Sequence, residues 1–305
     1  QSGGGPVTLR VKYKVGEVSQ YQSNMAVTMG GAKGASGSQA TPGGGGGMPL
    51  QQMSAIQQFK TSKLLSNGSA QVVITTINMQ GGAAMGSTSL PKPVTLVMDS
   101  RGAVTSAVGA SGSPSLLGGL IGSDALGTQQ FPLPPNAVKP GSTWTMALPM
   151  PGMGTGNVKG QFVKFEAVGA YKTALLHYLL TMPVKVMMDA SGQPTKSAAA
   201  STMTISGTIV MNIDNDVDIA SGRLIRSSGT GTMAAQFASK NIPKQIPPKE
   251  GAPPKPAIPK AATMAINLTL GTTLVSVTPP GKATAAPTTS PKTLKTSVQA
   301  PTRVK

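Results

Sequence analysis

His177 is the sole histidine, in Leu175-Leu176-His177-Tyr178-Leu179-Leu180, and the densest acids are Asp214, Asp216 and Asp218. A Ser-His-Asp triad would have to use His177, but the chain has no G-x-S-x-G elbow, and Gly109-Ala110-Ser111-Gly112 has the wrong spacing. His177 therefore reads as a structural histidine in a strand. Catalytic zinc takes three protein ligands of His, Cys or carboxylate type; one His, no Cys and scattered acids do not supply them. Asp214, Asp216 and Asp218 match positions 1, 3 and 5 of a calcium loop, yet Ile219 and Ile225 stand where a glycine and a bidentate glutamate are needed. They are weak cation candidates. Alternation instead places all three on the solvent face of a strand, opposite Arg223 and Arg226.

Other chemistries fare no better. Glycoside hydrolysis needs two carboxyls in one cleft, and nothing brings together Glu17 and Glu166, the glutamates outside the Pro/Lys linker. Gly152-Met153-Gly154-Thr155-Gly156 lacks the spacing and the following helix of a phosphate loop. The 17 methionines offer thioethers that copper(I) favours, but Met25, Met29, Met79, Met203 and Met211 fall in alternating apolar patterns, where methionine fills gaps in a core. No catalytic residue, cofactor or metal is assigned, and no enzymatic activity is expected.

The elements that would position these residues are strands. Val7, Leu9, Val11, Tyr13 and Val15 alternate with Thr8, Arg10, Lys12 and Lys14, the pattern of a half-buried strand. Residues 56–65 and 69–79 flank Ser66-Asn67-Gly68 as a hairpin. Residues 203–219 alternate over an unusual length, with Met203, Ile205, Ile209, Met211, Ile213, Val217 and Ile219 on one face. Turns of the form Asp-x-x-Gly recur at 99–102 and 189–192, with a looser copy at 218–222, where the acid caps the turn and glycine takes the positive φ. Lys14-Val15-Gly16 with Tyr21 echoes Lys139-Pro140-Gly141 with Trp144, which points to two related halves. Residues 50–59 and 115–126 are the best helix candidates, the second broken by Gly118, Gly119 and Gly122.

Composition agrees. Glycine (38) and proline (26) make up about a fifth of the chain, and aromatics only 3%. The expected fold is mostly β: long antiparallel twisted sheets, either a curved sheet or a sandwich, with little helix. The organisation is a first half over 1–130 with a Gly-rich loop at 30–49, and a second half over 131–240. A Pro/Lys linker at 241–260, a strand at 261–278 and a Pro/Thr/Lys tail at 279–305 follow. The tail strand carries Met264, Ile266, Leu268 and Leu270 on one face. Bracketed by extended linkers, it can return to its own sheet or complete a neighbour's; the opening strand with Val7, Leu9, Val11 and Tyr13 is the competing donor.

The formal net charge is +17, with ten bases and one acid, Glu250, in residues 240–305. Such a tail suits anionic cell-surface polymers. It lacks the aromatic platforms of single-strand nucleic-acid binders, so nucleic acid is not expected. The absence of cysteine removes disulfides, thiolate sites and a lipidated N-terminal cysteine. The start at Gln1-Ser2-Gly3 reads as a chain whose signal peptide was removed, hence secreted or at the cell surface. No apolar run approaches the roughly 18 residues of a membrane helix.

The stretch Leu9-Arg10-Val11-Lys12-Tyr13-Lys14-Val15-Gly16-Glu17 and the segment from Pro134 through Val138-Lys139-Pro140-Gly141 to Trp144 resemble bacterial exported β-rich envelope proteins of uncharacterised function. The resemblance implies an envelope location and a curved antiparallel sheet similar to half-barrel lipoprotein carriers, and it transfers no catalytic residue. Two functions follow. One is a non-enzymatic structural subunit of an extracellular filament or surface assembly, a homopolymer joined by strand addition. The alternative is an envelope binding module or carrier for an apolar ligand such as lipid or lipoprotein acyl chains.

Overall fold

A computed structural model of the chain describes residues 5–30, 48–81, 90–108, 131–150, 154–188, 202–240 and 261–281. These residues form eleven strands and, among them, no helix. The strands are β1 (Val18–Gly30), β2 (Met48–Leu64), β3 (Ala70–Gly81), β4 (Val94–Met98), β5 (Val104–Val108), β6 (Thr143–Met150), β7 (Gly154–Val168), β8 (Tyr171–Met188), β9 (Thr202–Asp218), β10 (Leu224–Lys240) and β11 (Ala261–Thr278). All join one antiparallel sheet in the order β5-β4-β3-β2-β1-β11-β10-β9-β8-β7-β6, which does not close into a barrel. A single sheet replaces the sandwich that composition left open.

Alternation builds one apolar face. In β9, Ile205, Ile209, Met211 and Ile213 are buried while Thr208, Asn212 and Asp214 are exposed. The 17-residue length expected for this strand is present. The hairpin at 66–68 joins β2 to β3, with Asn67 Oδ1 accepting from the Ser69 amide at 3.0 Å. Residues 50–59 are not helical but lie inside β2, because Met53, Gln57 and Phe59 answer a period of two and pair with β1. Residues 115–126, the Asp-x-x-Gly turn at 189–192 and the loop residues 31–47 lie outside the described residues.

The order of strands shows how the sheet is assembled. β1–β5 form one five-stranded meander and β6–β10 a second, laid out in the same direction along the sheet. Since every neighbour pair is antiparallel, β1 and β10 run the same way and cannot pair antiparallel with each other. β11 lies between them and pairs with both.

The meanders share backbone bonds as well as order. The Gly16 amide donates to Thr61 of β2 at 2.8 Å, and the Thr61 amide returns to Glu17 at 3.0 Å. In the second meander Gly141 donates to Phe162 of β7 at 2.7 Å, and Phe162 returns to Ser142 at 2.9 Å. Gly16 and Gly141 have φ of 82° and 89°, a conformation that side chains disfavour. Bulges follow at matching places, between Thr61 and Lys63 and between Phe162 and Lys164.

The opening segment departs from expectation. Residues 7–14 keep their alternation, with Leu9 fully buried, whereas Val15 is exposed, and they form only one isolated bridge, Val7 with Val138. Their backbone groups go to turns instead: Val11 donates to Ser100 at 2.7 Å and Lys12 to Ser221 at 2.9 Å. The segment is a strap across the inner face. Period-2 burial requires only an extended chain over an apolar surface, so the pattern is the same for a strap and for a strand.

Candidate functional site

Three sets of residues bear on function: a charged cluster on the outer face, the seam beneath the strap, and the apolar inner face.

On the outer face β7, β8, β9 and β10 bring together Lys164, Glu166, Thr173, Asp216 and Arg226. Arg226 donates through Nε to Asp216 and through Nη2 to Glu166 Oε1 at 3.2 Å. Lys164 Nζ lies 2.6 Å from Glu166 Oε2, and Thr173 Oγ1 approaches Asp216 Oδ1 at 3.4 Å. Asp216 is only 2% exposed, which corrects the expectation of a solvent-facing carboxylate: Arg226 and Thr173 cover it. Burial, with the hydrogen bond shared with Glu166, raises the pKa of Asp216 above the ordinary carboxylate value. Glu166 is lowered, by that shared bond and then by Lys164 and Arg226. Such divergence accompanies acid and base roles in enzymes, but here both carboxyls are occupied by cations on a sheet surface.

The other two aspartates do different work. Asp214 meets His177 Nδ1 at 2.8 Å on half-exposed ground. Asp218, 7% exposed rather than solvent-facing, caps the turn before β10 by accepting from the Ser221 amide at 3.0 Å. Its counterpart Asp99 accepts from the Arg101 and Ala103 amides, both at 2.8 Å. Ser228 lies opposite Asp214 on β10, as His177 does on β8. The row runs His177, Asp214, Ser228, so the carboxylate stands between base and hydroxyl, which are two strand spacings, about 10 Å, apart. A triad needs the imidazole in the middle. Among the described residues no three His, Cys, Asp or Glu side chains converge as a metal site.

At the seam Arg223 pairs with Glu17, which joins the turn before β10 to the start of β1. Glu17 and Glu166 thus pair with different arginines on opposite faces. Tyr13 Oη donates to the Asp99 carbonyl at 3.0 Å, and burial holds the phenols of Tyr13 and Tyr21 well above their usual range. These residues line a cavity of about 50 Å³ beneath the strap, with Phe59, Thr61 and Met98. Sequence spacing held no signal for the seam pair, whose partners are 206 residues apart.

The inner face divides into two clusters. The larger draws on β1 and β7–β11 and includes Leu9 of the strap and Phe131, Leu133 and Val138. The smaller consists of six buried residues of β3 and β4, with Tyr13 and Phe59 against them. Arg10 ties the strap to residues 131–142, between the two meanders, by donating to the carbonyls of Pro134, at 2.8 Å, and Pro135. Trp144 lies over Gly160, where a Cβ would overlap the indole, and packs edge-on to Tyr178 with ring centroids 5.8 Å apart.

The residues named as strand donors divide. Val7, Leu9, Val11 and Tyr13 belong to the strap. Ile266, Leu268 and Leu270 lie in β11 against both β1 and β10, Leu268 and Leu270 being buried, and Met264 is in register with Ala235. Residues 241–260 and 282–305, which hold most of the basic tail, lie outside the described residues. Among the described residues no helix is long and apolar enough to cross a membrane.

No protein-family model and no curated protein matches the chain. Among solved structures it is similar to one described as lipid-protein interactions in lipovitellin, at 12% identity and a TM-score of 0.42. The match covers 90% of this chain and 27% of that one, so the chain spans about a quarter of that protein's length.

Proposed function

We propose that the protein is a non-enzymatic binding module of the cell envelope that holds an apolar ligand, such as a lipid acyl chain, against the inner face of its sheet. The observation that carries this is the methionine content of that face. Met25, Met182, Met211 and Met233 are buried in the larger cluster, and Met53 and Met146 pack against it. Methionine is unbranched and polarizable, so it re-packs around varied apolar shapes. The resemblance of residues 9–17 and 134–144 to exported proteins supports the envelope location.

The seam cavity is about 50 Å³, against roughly 300–1,000 Å³ for small-molecule pockets. A ligand would enter by lifting the strap or residues 131–142. A filament subunit donating β11 is less well supported, because β11 would have to give up both of its ladders.

Trp144, the only tryptophan, packs against the larger cluster and reports on it directly. A brominated fatty acid should quench its fluorescence saturably, and the unbrominated acid should compete. Absence of quenching in a protein with an intact β-type circular dichroism spectrum overturns the proposal.

A further inference from the structure

The sheet ends on β5 and β6, and among the described residues neither has a ladder partner on its outer side. β5 has five residues and β6 eight. β6 reads Thr143-Trp144-Thr145-Met146-Ala147-Leu148-Pro149-Met150, without a charge in a chain that has 26 Lys and Arg. Thr143, Thr145 and Ala147 are exposed, while Trp144, Met146 and Leu148 are half-buried. Natural edge strands are usually blunted by charge, bulges or proline, because an unpaired edge is a template for another chain. β6 has only Pro149.

Pro149 also reveals the polarity of the edge. It pairs with Thr155 of β7 yet has no amide hydrogen, which a ladder tolerates where that amide would face away from the partner. Alternation then turns the amides of Thr143, Thr145 and Ala147 toward the free edge as well. By the shared turn and bulge, β6 is the counterpart of β1, and the equivalent edge of β1 accepts an antiparallel strand, β11, from Val18 to Gly30.

We propose that β6 is a self-pairing edge through which two copies of this chain join by antiparallel β6-to-β6 addition about a two-fold axis. A two-fold places the same strand antiparallel to itself, the arrangement that β1 makes with β11. β5 of a second copy would run parallel to β6 if the sheet were simply continued, since β5 and β6 point the same way. The pairing brings Trp144, Met146 and Leu148 of both copies side by side and covers apolar surface left half-open at the end of the sheet. Closed two-fold dimers are the commonest symmetric assemblies. Ligand binding is not required for this contact.

The natural chain has no cysteine, so single cysteines introduced at residues 143–148 report cleanly. In an antiparallel pair about a two-fold one residue faces its own copy, with Cα atoms about 4.5–5.5 Å apart, within disulfide reach. One position should cross-link to a dimer under mild oxidation, and positions two residues away much less. The unmodified protein should elute as a dimer, and Thr145→Lys as a monomer with an unchanged circular dichroism spectrum. A monomeric parent at high concentration, a dimer that survives Thr145→Lys, or a dimer that no single cysteine at 143–148 cross-links would each overturn the proposal. None of these readouts uses the fatty acid, so its outcome is independent of the ligand test.

Discussion

The two meanders share a framework and differ in what fills it. The first has two five-residue strands, β4 and β5, where the second has seventeen-residue β9 and β10. Among the described residues its cluster has six buried members against 23 in the larger one, to which β1 and β11 also contribute. Yet the positive-φ glycine, the reciprocal backbone bonds, the bulge and the aspartate-capped turn occur in both. Equivalent inner pairs hold their aromatic ring on opposite strands: Ser19 faces Phe59, whereas Trp144 faces Gly160. Turns and backbone bonds therefore define the repeating unit, while the packing built on them diverges.

The comparison can be broken most sharply at its matched bulge positions. Phe162→Ala should cost about 3–5 kcal/mol, the range for truncating a buried aromatic, because Phe162 is fully buried and stacks edge-on with Phe165 at 4.8 Å. The equivalent Thr61→Ala should cost about 1 kcal/mol by loss of a small side chain. Chemical denaturation measures both, and equal costs would mean that the halves carry equal weight. A smaller contrast lies among the glycines. Gly141→Ala should cost about 1–2 kcal/mol for the left-handed backbone alone, there being open space around it. Gly222→Ala should cost more, because its Cβ would overlap the Arg10 carbonyl of the strap; thermal melts would rank the two.

The smallest effect is electrostatic. Asp216 has a raised pKa when folded, so its contribution to stability is fully present below the unfolded carboxylate value and is lost as pH rises through the folded one. Asp216→Asn lacks that fall, and its melting deficit relative to the parent should shrink as pH rises across this window. Glu166 has the opposite sign, its contribution being lost as pH falls through its lowered folded value. Glu166→Gln should therefore show a deficit that grows with pH.

Much of the fold was legible because its signals are local. Alternation in 203–219, the Asn67-Gly68 turn and the Asp-capped turns at 99 and 218 each depend on residues a few positions apart. The repeat was legible at Lys14-Val15-Gly16 and Lys139-Pro140-Gly141, but its aromatic was misaligned: Tyr21 is not the partner of Trp144, since Ser19 holds the equivalent place. Of the charged cluster, the facing of Asp216 by Arg226 across the turn was legible, but the burial of Asp216 and the part played by Glu166 were not. Glu166 reaches Arg226 across 60 residues, and alternation alone set Asp216 in solvent because it does not foresee what will cover a side chain. Nor did the pattern of β11 reveal its neighbours, since a strand with one apolar face suits an edge as well as a centre.

Among the described residues β11 is the last strand in chain order, and it is the middle strand of the sheet. Val18 pairs with Thr278, a separation spanning most of the chain, and long-range pairings of this kind slow folding because loop closure must precede their reward. Until β11 arrives, a nascent chain holds two meanders with the inner edges of β1 and β10 both unpaired, each competent to capture a stray strand. Joining the meanders thus waits on β11, and any delay between the synthesis of β1 and that of β11 prolongs the interval in which misassembly competes with it.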